Sequence, residues 1–413
     1  MGEPHRRYPV IHVAGTKGKG SVAVYLATIL TRAGYRVGLY TSPHLVTVRE
    51  RIRIDGRMIS REDFARFYRR LNDLPVEYRI GSKAAFRTVF EHLTALALLY
   101  FAAKKVDAAV VEAGLGGRLD TTIVVEPVVS VVTPIGLDHM LILGDTIPQI
   151  AWEKSFVIKP GIPVVLSVQT PAARQVLEAR ANEVGAPLFQ APGRTEFQDI
   201  REGLSGSRFK SSRGGLRNFL LRTPLVGDYQ LGNISTTLTV VDVLRSLGWI
   251  ITDEAVAMGL RRVRWPGRLQ VLSRKPLIII DGAHNTLSAT AAKQALEKLC
   301  PGQKWRVVFA VMKNKQYPDM IEELKTVADK FYFCPLQFPK SWTEDIAREM
   351  LPRLTAAGEW FPDAVSAYLR ALKDCASNGR MLAVGSLYLA GEILRHRQGL
   401  PPPTADGRLD ART

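Results

Sequence analysis

The chain has 413 residues, of which 46% are hydrophobic and 23% are charged, so it is long enough for two globular domains with substantial cores. Its formal net charge is +17, but the basic residues are scattered, and no zinc finger, RNA-binding aromatic signature or continuous basic helix accompanies them. The three cysteines are far apart, no apolar run is long enough to span a membrane, and no apolar signal region precedes the first strand. These features predict a cytoplasmic protein that binds neither nucleic acid nor a membrane.

The most informative segment lies near the N-terminus. An apolar run that begins at Pro9 leads into the glycine-rich stretch 13–21, VAGTKGKGS, and a pattern typical of a helix follows. In such a unit, glycines let successive backbone N–H groups converge, and the helix N-terminus adds a partial positive charge. Lys19 and Ser21 suit a triphosphate and its Mg²⁺, although Gly20 separates them and the spacing differs from the usual phosphate loop. A glycine-rich turn with an incidental lysine is the weaker alternative, so the segment predicts an ATP-binding enzyme.

Strand and helix patterns alternate along the following residues. Strands are predicted at 35–40, 107–112, 127–132 and 163–167, and helices at 84–104, 146–156 and 171–184. This alternation predicts a mostly parallel sheet with helices on both faces. At about 194–224 the composition changes to closely spaced Gly, Ser, Arg and Phe, which indicates a small β insert, and helical periodicity returns at 231–247.

A second α/β unit begins with the apolar strand 276–281, which leads into Gly282-Ala-His284-Asn285. Further strands are predicted at 305–311, 331–334 and 381–384. Pro266 and Gly267 interrupt the pattern between the two units. We therefore predict an ATP-binding domain at 1–270, a smaller domain at 271–395 and a disordered tail at 396–413.

Polar residues stand at or near the ends of the predicted strands, where an open α/β sheet binds its ligands. Ser42 follows the second strand, Glu112 ends the next, His139 follows the strand 127–132, and Lys154 lies in the helix after it. A hydroxyl, a carboxylate and an imidazole can hold divalent ions against phosphate oxygens. Taken singly, His139 is more typical of a hydrogen-bonded loop and Lys154 of a solvated helix face. Together, downstream of a phosphate loop, they favour a site.

Motifs along nearly the whole chain resemble the folylpolyglutamate synthase and dihydrofolate synthase family, which is related to the Mur ligases. They are 13–21, 41–46 (TSPHLV) leading to 50–52 (ERI), 111–120 (VEAGLGGRLD), 136–139 (GLDH) through 144–146, 153–161, 266–268 (PGR), 281–285 (DGAHN) and 385–389 (GSLYL). The resemblance implies an α/β fold with a phosphate-loop, Mur-ligase-like ATPase domain and a smaller, Rossmann-like C-terminal glutamate-ligase domain. It also implies an ATP-dependent ligase that adds L-glutamate to reduced folates, to dihydropteroate or to both through an acyl phosphate. We expect a monomer.

The resemblance also implies roles for individual residues. Ser42 and Glu112 match ligands of a first Mg²⁺, and His139 matches a ligand of a second. Lys154 matches a lysine that is carbamoylated in the family, which would complete the second Mg²⁺ site; with Lys19 these groups form the catalytic set. The implied ATP contacts are Thr16, Lys17, Gly18, Lys19, Gly20, Ser21, Asn233, Arg268, Asp281 and His284. The implied pterin-binding residues are Thr88, Val89, Phe90, Glu91, Leu119, Asp120 and Thr121.

The chain departs from the family pattern at several positions. Lys17 stands where the family usually has Asn, which predicts an extra cation beside the triphosphate. His92, Met140 and Tyr229 also differ from the residues common in the family. A Mur-type ligase of cell-wall precursors would use the same chemistry, but the motifs 115–120 and 42–45 favour folate. A nucleic-acid-binding ATPase is supported only by the basic charge.

Overall fold

The computed structural model describes residues 2–73, 88–191, 193, 195–350 and 357–401. Within them the chain forms an eight-stranded, a six-stranded and a three-stranded sheet. The two larger sheets are mostly parallel and carry helices, which confirms the predicted α/β fold class. None of the helices described is long and apolar enough to cross a membrane.

The eight-stranded sheet belongs to the first domain. Its strands are β1 (Val10–Ala14), β2 (Val37–Tyr40), β3 (Ile52–Ile54), β4 (Arg57–Met58), β5 (Ala108–Glu112), β6 (Pro127–Val132), β7 (Val164–Leu166) and β8 (Leu188–Gln190). They are ordered β4-β3-β2-β5-β1-β6-β7-β8, and β3 runs antiparallel to both of its neighbours, β2 and β4. Because β1 lies between the parallel strands β5 and β6, the loops after these three strands open at one edge of the sheet.

Helices connect these strands. They are α1 (Lys19–Arg32), α2 (Arg61–Asn72), α3 (Val89–Ala103), α4 (Met140–Leu143), α5 (Ile147–Ser155) and α6 (Pro171–Glu183). The side chains of β1 are buried along its whole length, as expected for a central strand that is covered on both faces. On α1 the predicted apolar spacing of Val22, Leu26 and Ile29 is buried in the same core. Burial of these apolar residues therefore accounts for both halves of the β1–α1 unit.

A small antiparallel sheet follows β8, the last strand of the eight-stranded sheet. It consists of β9 (Phe197–Gly203), β10 (Gly206–Ser211) and β11 (Leu221–Thr223). Phe209 is fully buried, and its ring centroid lies 4.9 Å from that of Phe197. The predicted β insert is present, and two helices, α7 (Tyr229–Ser246) and α8 (Asp253–Arg262), follow it.

The six-stranded sheet belongs to the second domain. Its strands are β12 (Gln270–Arg274), β13 (Leu277–Ile280), β14 (Trp305–Phe309), β15 (Ala328–Phe333), β16 (Ala357–Trp360) and β17 (Arg380–Val384). Its helices are α9 (Thr286–Leu299), α10 (Tyr317–Lys325), α11 (Glu344–Met350), α12 (Ala364–Asp374) and α13 (Leu387–Arg397). The order is β12-β13-β17-β14-β15-β16, and β12 alone among these strands runs antiparallel to its neighbour. The segment 263–269 connects α8 to β12, the first strand of this sheet in chain order.

Some elements were not predicted from the sequence pattern. They are the hairpin β3–β4, the edge strands β8, β12 and β16, and the helices α2, α4 and α8; apart from α8, which packs on α1, all are short or largely solvent-facing. Short elements that bury few side chains leave a weak periodic signal. The helix predicted at 84–104 corresponds to α3, which begins at Val89. Three predicted segments lie at least partly outside the described residues: 84–87 of this helix, residue 194 of the insert and 402–413 of the tail. The start of that tail at 396 falls within α13, which ends at Arg397.

Close packing of α8 on α1 gives a test of this fold. An added Cβ at Gly259 would lie 2.6 Å from the Cα of Ile29, so Gly259→Ala must push the two helices apart. We expect the free energy of unfolding to fall by about 1–3 kcal/mol, because the cost of separating the helices exceeds the gain in helix propensity from alanine. Urea denaturation followed by circular dichroism measures this change.

The matched control is Gly232→Ala on α7, where an added Cβ meets no atom within 4 Å. This variant should be as stable as the parent or more stable by up to about 1 kcal/mol, because alanine favours a helix. Equal stability of the two variants would contradict the close approach of α8 to α1.

Candidate active site

The phosphate-loop segment connects β1 to α1. Gly18 precedes the first residue of α1 and has a left-handed backbone conformation, with φ of 81°. A side chain at Gly18 would be strained, and its Cβ would lie 2.4 Å from Oδ1 of Asn233 on α7. Gly18 supplies no side chain to cap α1. The first N–H groups of the helix therefore remain available to an anion at its positive end.

Part of the loop is fastened to the segment that follows β6. The backbone N–H groups of Thr16 and Lys17 donate to the carbonyl of Pro134, with N–O distances of 3.0 and 3.2 Å. Nζ of Lys19 donates to the Gly15 carbonyl at 3.1 Å, so the ammonium lies over the loop. The expectation that successive N–H groups converge on phosphate thus needs correction. It can apply from Gly18 onward, whereas Thr16 and Lys17 use theirs to hold the loop in place.

A cavity of about 430 Å³ opens beside the loop. It is lined from both domains, and its size is typical of small-molecule sites. All the residues predicted to contact ATP or metal line this one cavity: Thr16, Lys17, Gly18, Lys19, Gly20, Ser21, Ser42, Glu112, His139, Lys154, Asn233, Arg268, Asp281 and His284. Residues more than 250 positions apart in sequence therefore meet at the sheet edge that β5, β1 and β6 share.

Glu112 is the last residue of β5 and is buried, with 4% of its surface exposed. Its Oε2 accepts a hydrogen bond from the backbone N–H of Ser42 at 3.2 Å. Burial raises the pKa of the Glu112 carboxyl, whereas Lys19, the Ser42 N–H and Arg268 lower it. A buried carboxylate among cations, next to a serine hydroxyl, is a suitable oxygen ligand for Mg²⁺.

His139 precedes α4 and has a left-handed backbone conformation, with φ of 53°. Burial lowers the pKa of its imidazole to about 4, against the opposing charge of Asp138. The imidazole is therefore neutral at pH 7 and can act as a metal ligand or a hydrogen-bond acceptor.

Lys154 is a buried residue of α5, with 4% of its surface exposed, which excludes the solvated-face interpretation. Glu153, the neighbouring acid, forms an ion pair with Arg118 at 2.9 Å and is not the partner of Lys154. Burial, together with the charge of Lys19, lowers the pKa of Lys154 to about 7. The amine is therefore neutral in a large fraction of molecules at pH 7, as reaction with CO₂ requires.

Asp281 follows β13 and is also buried. Its Oδ2 accepts the N–H of Leu269 and its Oδ1 the N–H of Ala283, both at 2.7 Å. Burial raises the pKa of this carboxyl, and Arg268 lowers it. The carboxylate therefore holds the connecting segment against the second sheet, a structural role that the sequence did not predict.

Asp138 also lines the cavity, although the sequence analysis assigned a role only to its neighbour His139. Its carboxylate accepts hydrogen bonds from Nζ of Lys315 at 2.9 Å and from Nδ2 of Asn285 at 3.1 Å. Burial raises its pKa, but a hydrogen bond and the charge from His284, together with Lys315, hold the net pKa well below the usual range. Asn285 and Lys315 lie 147 and 177 residues further along the chain, so the sequence could not show these contacts. The position of Asp138 after a strand was the only signal that it belongs to the site.

None of the seven predicted pterin-binding residues lines this cavity. The side chains of Thr88 and Glu91 form the capping box at the start of α3. Asp120 is buried and accepts the N–H groups of Leu115 and Thr122, at 2.7 and 2.9 Å. The others, Val89, Phe90, Leu119 and Thr121, lie on or next to the same two segments. At least three of the seven side chains thus hold local backbone structure.

Comparison with known proteins identifies relatives along nearly the whole chain. Residues 13–241 match the family model of the Mur ligase middle domain, and residues 267–387 match that of the Mur ligase glutamate ligase domain. The dihydrofolate synthase/folylpolyglutamate synthase of Bacillus subtilis (strain 168) is 36% identical over 398 residues, which cover 95% of this chain and 91% of that protein. The folylpolyglutamate synthase of Lacticaseibacillus casei is 33% identical over 401 residues, with coverage of 95% and 91%.

Solved structures give the same result. The Mycobacterium tuberculosis folylpolyglutamate synthase complexed with ADP superposes with a TM-score of 0.89 at 31% identity, covering 97% of this chain and 93% of that one. E. coli FolC in complex with DHPP and ADP has a TM-score of 0.83 at 28% identity, with coverage of 96% and 91%. The matched regions contain the motifs whose residues line the cavity. The chain belongs to the folylpolyglutamate synthase/dihydrofolate synthase family of the Mur ligases.

Proposed function

We propose that this protein is an ATP-dependent ligase that joins L-glutamate to a carboxylate of a reduced folate, of dihydropteroate or of both. The observation that carries the proposal is the cavity. There the phosphate loop meets Glu112 and His139, the two candidate metal ligands that follow or end strands, and the start of the glutamate-ligase domain. The relatives solved with ADP, and with DHPP and ADP, support a nucleotide and a folate-type substrate.

The chemistry requires an activated carboxylate. The γ-phosphoryl group of ATP passes to a carboxylate oxygen of the folate substrate, which forms an acyl phosphate and releases ADP. The amine of L-glutamate then attacks the acyl carbon, phosphate leaves with the electrons of the C–O bond, and the amine loses a proton. Transfer between anions requires dense positive charge, which Lys19, Arg268 and the N-terminus of α1 would supply. Arg268 and His284 line the cavity from the connecting segment and the start of the second domain.

We assign two Mg²⁺ ions to this site, one held by Ser42 and Glu112, the other by His139 and carbamoylated Lys154. Among the residues that the structure describes, no three His, Cys, Asp or Glu side chains cluster as a metal site. What supports Mg²⁺ is the buried Glu112 carboxylate beside the phosphate loop, since proteins bind this ion through one or two carboxylates together with substrate phosphates. When bound, the ions would neutralise the charge that develops on the transferring phosphoryl group.

The folate would lie beside the start of α3 and the segment 119–121. Val89 and Leu119 expose 57% and 77% of their surfaces, and the ring of Phe90 packs over Gly114 next to the cavity. These apolar groups can cover a pterin ring. Thr88, Glu91, Asp120 and Thr121 would act mainly by holding the two segments.

The first test is an assay of ADP release with purified full-length protein. We expect ADP to form only when L-glutamate and a folate substrate are both present, with dihydropteroate and tetrahydrofolate tried separately. Glu112→Gln should lower this rate by about 100-fold or more, because it removes the buried carboxylate at the phosphate loop.

Glu126→Gln is the matched control, since Glu126 is exposed and pairs with Arg6 at the far end of β6. It should retain the parent rate. ADP release that ignores folate and rises with added DNA or RNA would favour the nucleic-acid-dependent ATPase instead.

A second prediction concerns Lys154. Its neutral amine should react with CO₂ to form a carbamate and release a proton, which replaces a cation by an oxygen ligand. Because its pKa is about 7, the reaction should slow as pH falls below 7 and the amine becomes protonated. Protein equilibrated with ¹³C-bicarbonate should show a carbamate carbon by NMR, and Lys154→Ala should lack it. Lys154→Ala should also lose about 100-fold or more in turnover and recover part of it in acetate.

Lys159→Ala serves as the control, because Nζ of Lys159 donates to the Ile123 carbonyl and the residue does not line the cavity. The carbamate signal should persist in this variant, and acetate should leave its rate unchanged. Full activity of Lys154→Ala without acetate would rule out the carbamate.

A third prediction concerns Lys17. Burial lowers its pKa to about 7, so the ammonium is mostly present at pH 6 and mostly absent at pH 8. We expect Lys17→Asn to weaken ATP binding by about two- to fivefold at pH 6 and low salt, with a smaller effect at pH 8 or high salt. Titration calorimetry with a non-hydrolysable ATP analogue measures both effects.

The comparison variant is Lys210→Asn in the exposed insert, where Lys210 pairs with Asp199. Its nucleotide affinity should match the parent at both pH values. An unchanged affinity in Lys17→Asn at pH 6 and low salt would mean that the Lys17 ammonium does not contact the triphosphate.

A further inference from the structure

Asp138 is one of the points where charged groups of the two domains meet, and Lys298 of the second domain likewise pairs with Glu202 of the insert. It lies after β6 in the first domain, and 10% of its side chain is exposed. Lys315 Nζ approaches Oδ1 at 2.9 Å, Asn285 Nδ2 approaches Oδ2 at 3.1 Å, and His284 Nε2 lies 3.5 Å from Oδ2. All three partners belong to the second domain, so one carboxylate receives groups from the start of α9 and from the segment before α10.

Lys315 differs from the other partners because it does not line the nucleotide cavity. It is nearly buried, with 14% of its side chain exposed, and in the described part of the chain Asp138 is the acid within ion-pair distance of it. The Asp138 carboxylate is therefore its hydrogen-bonded link to the cavity.

The same carboxylate also holds the backbone of His139. Oδ1 of Asp138 accepts the N–H of His139 at 2.9 Å, where His139 has its left-handed conformation. This conformation is unfavourable for a residue with a Cβ and persists only where surrounding contacts maintain it. Docking of Lys315 and the conformation of His139 thus depend on one oxygen atom.

We propose that Asp138, Lys315 and Asn285 form an interdomain clasp that positions His139 when the second domain is docked. The proposal rests on the proposed function, since it gives the clasp a purpose in ligation. ATP would be used efficiently only while the glutamate-ligase domain is in place to deliver the amine. Asp138 is accordingly a positioning residue, because it acts through His139 and through the orientation of the second domain.

The test compares full-length Lys315→Met with Lys313→Met, a control on the same segment. Lys313 is exposed, and its backbone N–H bonds to the carbonyl of Lys340. We expect Lys315→Met to keep the affinity for AMPPCP within about twofold while its kcat falls by about 10- to 100-fold. Small-angle X-ray scattering with AMPPCP should show a more open molecule for Lys315→Met than for Lys313→Met. Lys315→Arg, which keeps the charge, should recover part of kcat.

A double-mutant cycle identifies the route. Asp138→Asn keeps an oxygen that can accept the His139 N–H but loses the charge, so adding Lys315→Met to it should cost little more. The proposal would be overturned if Lys315→Met kept the kcat and the compactness of the parent protein. It would also be overturned if the losses of kcat in Lys315→Met and in Asp138→Asn simply added in the double variant. If the parent protein ligates no folate, the proposed function fails, and the scattering comparison alone decides whether the clasp exists.

Discussion

The arrangement of the site depends on the parallel pairing of β1 with β5 on one side and β6 on the other. In this register Val13 lies opposite Glu112 on β5, and Ala14 lies opposite Val132 on β6. The first residues after all three strands therefore reach the same edge at the same level. The fit is close, because an added Cβ at Gly15 would lie 2.0 Å from Oγ1 of Thr133. Only glycine allows the phosphate loop to turn at this point.

Charge is the second constraint on the cavity. Buried or half-buried cations and acids of both domains line it together: Lys17, Lys19, Lys154, Arg268, Glu112, Asp138 and Asp281. Burial lowers the pKa of both Lys17 and Lys154 to about 7, and it raises the pKa of the Glu112 and Asp281 carboxyls. Burying an ionised group without a partner is costly, so the cavity favours a ligand that brings negative charge. A nucleotide triphosphate meets that requirement, and a carbamate on Lys154 would remove one repulsive cation.

Two aspartates connect this cavity to the second domain in different ways. Asp281 uses both carboxylate oxygens to hold the connecting segment at Leu269 and the turn at Ala283. Asp138 instead receives Lys315 and Asn285 across the boundary. The first contact lies within the connecting segment and the second domain, whereas the second joins the first domain to the second.

The amino-acid sequence by itself determined the parts of this protein that depend on local pattern. The buried strand β1, the glycines of the phosphate loop and the apolar face of α1 were all evident from residue types at fixed spacing. The order of motifs along the chain also identified the residues that line the cavity. Tertiary structure alone decided which loop N–H groups are free, that Lys154 is buried, and that Glu153 pairs with Arg118. It alone also brought Asp138 to Lys315, because a contact between residues 177 positions apart depends on strand order and domain docking, which no local spacing encodes.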